Sequence, residues 1–213
     1  PTDLKESEGV SVKKEEIPVL ELGVHKKDTM RIKKELTLAS NKPNIHTILW
    51  QDMQTRALDI RGLDGKVEIK GELFVFCLYS GDDEDHPLQY LEQALPWQQE
   101  VDCSGSTTDM IPNIDVTMTQ CNMEVVPDAD GEERVLQMDV VLELDMKLYK
   151  ENSCSLLQDV YTPKKKCILT TEPRVLESLL VKNYSKCKVN DRVNVQEPSN
   201  KILQICHSEG TVK

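Results

Sequence analysis

Apolar and polar residues alternate along most of this chain, which is the side-chain period of a β-strand. The clearest stretch runs through Leu136, Met138, Val140, Leu142, Leu144, Met146 and Leu148, with Gln137, Asp139, Glu143, Asp145 and Lys147 between them. Such a strand buries one face and wets the other, and its seven apolar side chains make it the candidate centre of the core. The segment from Val67 to Tyr79 alternates at first and then turns continuously apolar from Leu73 to Tyr79, which predicts cover on both faces. Asp64-Gly65 and Asp130-Gly131 stand before these two strands and supply the positive φ of a tight hairpin turn. Glu16–Val24 and Met30–Leu38 flank Lys26-Lys27-Asp28 as the arms of a hairpin would. Ser40-Asn41-Lys42-Pro43 reads as a helix start with Pro in the first turn, giving at most two turns through Trp50. Gly81 to Pro87 reads as an acidic hairpin loop, and Leu88 to Leu95 leads into Pro96-Trp97. Val175–Val181 fits a short helix or a strand.

The apolar spacing repeats. Val24, Met30, Ile32, Leu36, Leu38, Ile45, Ile48 and Leu49 recur 157 positions later as Val181, Cys187, Val189, Val193, Val195, Ile202, Ile205 and Cys206. This register places Val175–Val181 opposite Pro18–Val24 and favours strand there. A shorter repeat relates Pro43-Asn44-Ile45 to Pro112-Asn113-Ile114 and the strand ending Leu78-Tyr79 to that ending Leu148-Tyr149. The expected fold is therefore mainly β: an antiparallel, sandwich-like module of two related halves with at most one or two short helices. Residues 1–9 read as a lead-in, 10–184 as the module and 185–213 as the start of a following repeat unit. Repeat modules usually serve as scaffolds or binding surfaces.

Composition narrows the function. With 213 residues, 38% hydrophobic and 30% charged, the chain can fold around a core of aliphatics, since it has two Trp, two Phe and five Tyr. A formal charge of −11 disfavours nucleic acid and anionic membrane surfaces. Lys164, Lys165 and Lys166 form the one basic run, which reads as a solvated face or turn. No stretch approaches the ~18 apolar residues of a membrane span. Pro1–Gly9 has neither the charged start nor the apolar centre of a signal peptide. Seven scattered cysteines without CxxC fit a reducing, intracellular setting better than a disulfide framework.

The chemistry-bearing residues read blandly. Asp82, Asp83, Glu84, Asp85 and His86 crowd oxygen ligands into one loop but lack the glycine pivot and terminal bidentate Glu of a calcium loop, so a solvated turn is expected. The run Asp128 to Glu133 resembles part of such a loop, but the strands on either side make it a hairpin turn. His25, His46, His86 and His207 lie far apart, without zinc spacing. Cys77, Cys121 and Cys206 sit in apolar stretches and read as small buried hydrophobes, whereas Cys103 is expected to be the exposed one. No phosphate loop, nucleophile elbow or dinucleotide fingerprint is present. The expectation is a non-enzyme with no catalytic residues, no metal ligands and no cofactor.

Three motifs resemble a known family. The strand Val67–Tyr79, the run from Pro87 to Trp97 and the segment Val101–Gly105 resemble the SPOCS (spore coat structural) domain, with its habitual V-x-G-x-L-x-V-x-x-L-Y strand and P-x-Q-x-x-E-x-x-I-P-F run. Ala94-Leu95-Pro96-Trp97 stands at the I-P-F site, a change that keeps apolar character, and Ile202–Lys213 is similar to the lead-in of a following copy. The resemblance implies tandem modules, often in the company of a LysM module, and a structural role in spore coat or envelope assembly on the mother-cell side of the developing spore. Its partners would be other spore coat morphogenesis proteins or neighbouring SPOCS modules, with cell-wall association through a LysM module elsewhere, and neither nucleic acid nor membrane insertion. Protein–protein contact through exposed strand edges or a sheet face is expected, first at Met30–Leu38 and Cys187–Val195. The alternative is a carbohydrate- or cell-wall-binding β module, against which burial of both Trp50 and Trp97 would weigh.

Overall fold

The structure, a computed structural model, describes residues 10–163 together with 168, 170, 172, 173, 175, 188–192, 194, 205–208 and 210. Its elements are β1 (Ser11–Thr37), β2 (Ile45–Leu63), β3 (Lys66–Gly81), β4 (Leu88–Asp102), β5 (Ile111–Pro127) and β6 (Glu133–Tyr161), with no helix among the described residues. They form two antiparallel sheets of three strands, ordered β1-β6-β5 and β2-β3-β4. One apolar core joins the inner faces of both sheets, giving the expected mainly-β, sandwich-like architecture.

The two halves follow the same plan. Each reads strand, strand, Asp-Gly turn, long strand, as β1-β2-β3 and β4-β5-β6. The hairpin of each half stays together, but the first strand crosses over: β1 pairs with β6, and β4 pairs with β3. Each sheet is thus completed by the other half, and neither half closes a sheet alone. Gly65 (φ 75°) and Gly131 (φ 85°) occupy the hairpin turns where a Cβ would be strained.

The long strand of each half carries the core. Leu136, Met138, Val140, Leu142, Leu144, Met146 and Leu148 of β6 are all fully buried, as the alternation predicts. On β3, Val67, Ile69, Leu73, Val75, Cys77 and Tyr79 face the same core. Phe74 and Phe76 point to the opposite, outer face of β3 and are nevertheless buried. The continuous apolar run therefore is covered on both sides. Gly71, opposite Trp97 in the β3–β4 register, has room for no side chain: a Cβ there would lie 2.9 Å from both Leu58 Cδ2 and Trp97 Cζ2.

Two expectations fail. The hairpin at Lys26-Lys27-Asp28 is absent, and β1 instead runs unbroken for 27 residues along β6. Those three residues lack the Gly or Asn of a tight turn. Lys26 and Asp28, two apart, share one strand face and pair at 2.6 Å, as strand geometry allows. The helix expected from Ser40 to Trp50 is instead a turn at 40–42 followed by the start of β2. Bulges between Ile45 and Thr47 and between Ile48 and Trp50 each insert an extra residue. They stretch the apolar spacing from two to three and imitate a helical period. The segment Val175–Val181, apart from Val175 itself, and most of the repeat lead-in from 185 onward lie outside the described residues.

Candidate interaction surfaces

Strand edges come first. In the sheet order, β1 and β4 are both outermost, so each has one side without a strand partner among the described residues. Met30–Leu38 lies on such an edge, as expected, but the described residues of Cys187–Val195, 188–192 and 194, are exposed and form no strand. The edge of β1 is dense in charge: Lys13, Lys14, Glu15, Glu16, Lys33, Lys34 and Glu35 all lie along it. Charged edges discourage indiscriminate strand pairing. Pro96 within β4 acts in the same sense, since it has no N–H to offer.

The β1–β6 pair extends past the rest of its sheet. β5 begins opposite Tyr149, so from Lys150 to Tyr161 β6 pairs, among the described residues, only with β1, in register from Ser11 to Glu21. This two-stranded arm has half-buried Ile17, Val19, Leu20, Leu156 and Leu157, and an exposed Tyr161. A lone ribbon is marginal in water, and a third strand or another surface stabilises it. Within the sheet the same pair is stitched by charge. Asp139 accepts from the Arg31 guanidinium, and His25 Nε2 lies 2.7 Å from Asp145 Oδ1. The Arg31 hydrogen bond holds the Asp139 carboxyl below the usual carboxylate range, and the His25 contact does the same for Asp145.

A second surface is the outer face of sheet β2-β3-β4. Phe76 is enclosed by Trp50 (ring centroids 5.4 Å apart), Tyr90 (6.1 Å) and His207 (4.4 Å). The Arg56 guanidinium lies 3.5 Å over the Phe74 ring, a cation–π contact. The sequence pattern foretold that the outer face of β3 is covered but not by what. The sequence pattern places Trp50 at a helix end, and His207 lies 131 positions beyond Phe76. No short-range spacing could connect them.

The remaining residues fall out as follows. The 82–87 connection is the expected hairpin loop, with Asp82, Asp83, Glu84 and Asp85 exposed. It is closed by Gly81 N–H to Pro87 O (2.9 Å) and by stacking of His46 on His86 at 4.5 Å. Asp128 Oδ1 accepts from the backbone N–H of Asp130 (2.9 Å) and Glu132 (3.0 Å), an Asx-type turn that spends this carboxylate on the hairpin. Among the described residues no His, Cys, Asp and Glu side chains converge as a metal-binding group. The cysteine expectations divide. Cys77 is buried as expected, and burial pushes its thiol up to about 11. Cys103 and Cys121 are reversed: Cys103 is fully buried and Cys121 exposed. Cys103 N–H is bonded to Gly65 O and its carbonyl to Ser106 N–H, which folds the 103–106 turn inward against the sheet end. Cys121 lies on the edge strand β5, opposite Val140 in the β5–β6 register, and is exposed there. The tryptophans also divide, with Trp97 at 7% exposure in the core and Trp50 at 45% on the surface.

Among the described residues, fold and surfaces define an all-β module with open strand edges and one aromatic outer face. Residues 44–126, 83 of the 213, match the family model described as SipL, SPOCS domain. The match spans β2, β3 and β4 and nearly all of β5, leaving β1 and β6 outside it. No curated protein and no solved structure matches the chain.

Proposed function

We propose that this chain is a non-catalytic structural module that acts as a scaffold in spore coat or envelope assembly through protein–protein contacts. The observation that carries the reading is the β1–β6 arm. It presents strand edges and half-buried apolar side chains beyond the closed sandwich, the form that strand addition by a partner uses. The SPOCS match over residues 44–126 supports a sporulation setting. In this reading the partners are neighbouring SPOCS modules or other coat morphogenesis proteins, on the mother-cell side of the developing spore surface. Association with the cell wall would come through a LysM module.

The 157-residue repeat supports tandem use. Lys182 and Lys188 stand where His25 and Arg31 stand in β1. The later copy thus keeps basic side chains at the two positions that meet Asp145 and Asp139 across β1–β6. Calorimetric titration of the chain with a separately expressed SPOCS unit tests the reading. Saturable binding is expected, and Ile17→Lys with Leu156→Lys on the arm should abolish it. Absence of binding by the parent chain, or binding indifferent to the arm variants, overturns it. The carbohydrate reading retains only Trp50, since Trp97 is a core residue.

A further inference from the structure

We propose that the aromatic outer face of sheet β2-β3-β4 is a docking surface for the chain's own segment Ile205–Ser208, joining the start of a following repeat to the unit before it. The tandem part of this inference rests on the reading just given; the docking itself rests on contacts.

The two sheets differ sharply on their outer faces. That of β6 carries Gln137, Asp139, Glu143, Asp145 and Lys147, an ordinary solvated surface. That of β3 carries Phe74 and Phe76, of which Phe76 has no exposed surface at all. A ring on the outer side of a sheet is buried only if something lies across it. Trp50 and Tyr90 flank it from β2 and β4, and the imidazole of His207 supplies the lid. Its centroid lies 4.4 Å from that of Phe76 and 4.9 Å from that of Trp50, edge-on. The His207 side chain is only 9% exposed, and its Nε2 sits 3.6 Å from Asp52 Oδ2. The seat therefore offers flat aromatic faces for a ring and a carboxylate beside the ring nitrogen.

The identity of the occupant gives the contact its meaning. In the 157-residue register Ile205, Cys206 and His207 correspond to Ile48, Leu49 and Trp50 at the start of β2. What lies on this face is thus the counterpart of the strand that helps to build it. Seating that counterpart fixes how one unit follows another without any further partner.

The test uses the whole chain in solution. Nuclear Overhauser contacts from the His207 imidazole protons to Phe76 and Trp50 are expected. His207→Ala, and separately His207→Asp, which sets a second carboxylate beside Asp52, should abolish or weaken the docking. Both should then increase acrylamide quenching of Trp50, while Trp97, buried in the core, stays shielded. Both variants lie outside the sandwich core, so the far-ultraviolet β signal should not change. Absent Overhauser contacts, or Trp50 quenching unmoved by both substitutions, overturns the inference. These readouts need no partner. Lost docking with intact binding to a separate SPOCS unit would refute this inference alone; intact docking without such binding would refute the proposed function alone.

Discussion

Replacing Leu142 by Ala probes the claim that β6 is the centre of the sandwich. Leu142 is completely buried, with Met30 of β1 and Met118 of β5 as its register partners on either side. Truncating a buried Leu to Ala removes the transfer free energy of the lost carbons and leaves a cavity, together about 2–5 kcal/mol. Both neighbours are methionines, whose unbranched side chains can swing into the space. That places the expected loss near the lower end, at about 2–3 kcal/mol. For a folded unit of this size each kcal/mol shifts the melting midpoint by roughly 2–4 °C, so Tm should fall by about 5–10 °C. The adjacent Glu143 points outward and is exposed, and Glu143→Ala should stay within about 0.5 kcal/mol of the parent. Urea titration followed by far-ultraviolet circular dichroism measures both, with an unchanged m-value showing that the unfolded reference is the same. If Leu142→Ala proved as harmless as Glu143→Ala, β6 could not hold the inner position assigned to it.

Three further outcomes follow from the structure. Gly71→Ala should destabilise the fold by about 1–3 kcal/mol in the same urea assay, because its Cβ meets the buried Trp97 ring, whereas the exposed Leu58 can move aside. Asp139 and Asp145 have folded pKa values held below the carboxylate norm by Arg31 and His25. Their stabilisation is present above the unfolded value of about 3.9 and is lost as pH falls through the folded values. The double variant Asp139→Asn, Asp145→Asn should accordingly flatten the loss of stability below about pH 4, and an acid limb as steep as the parent's would refute the pairing. Among Cys77, Cys103 and Cys121, Cys121 should react first with a thiol reagent in the native protein. Cys77, buried and with its thiol pushed up to about 11, should react only on unfolding, which mass spectrometry of the labelled peptides resolves.

What the sequence disclosed follows from how local each signal is. The β6 alternation and the two Asp-Gly turns are local, and each element formed where its pattern put it. The start of β2 reads as a helix because bulges break the two-residue period, and a bulge is decided by pairing with β3 rather than by β2 itself. β1 was cut in two because its central Lys-Lys-Asp looks like a loop in isolation, yet it lies flat once β6 supplies a partner for its whole length. Cys103 and Cys121 exchanged roles for a similar reason. An apolar neighbourhood in sequence does not say whether a residue of an edge strand is covered, nor whether a polar turn folds back on the core. The crossing of β1 and β4 between halves left no mark in either half. It is visible only as pairing.

Hydrogen exchange of the chain, alone and saturated with a separately expressed SPOCS unit, bears most directly on the central claim. The account predicts slowed exchange at the amides of Ser11–Leu22 and Lys150–Tyr161, the two strands of the arm, with the outer face of β6 from Gln137 to Lys147 unaffected. Saturable binding that leaves the arm amides unchanged and slows exchange at that charged outer face instead would contradict it.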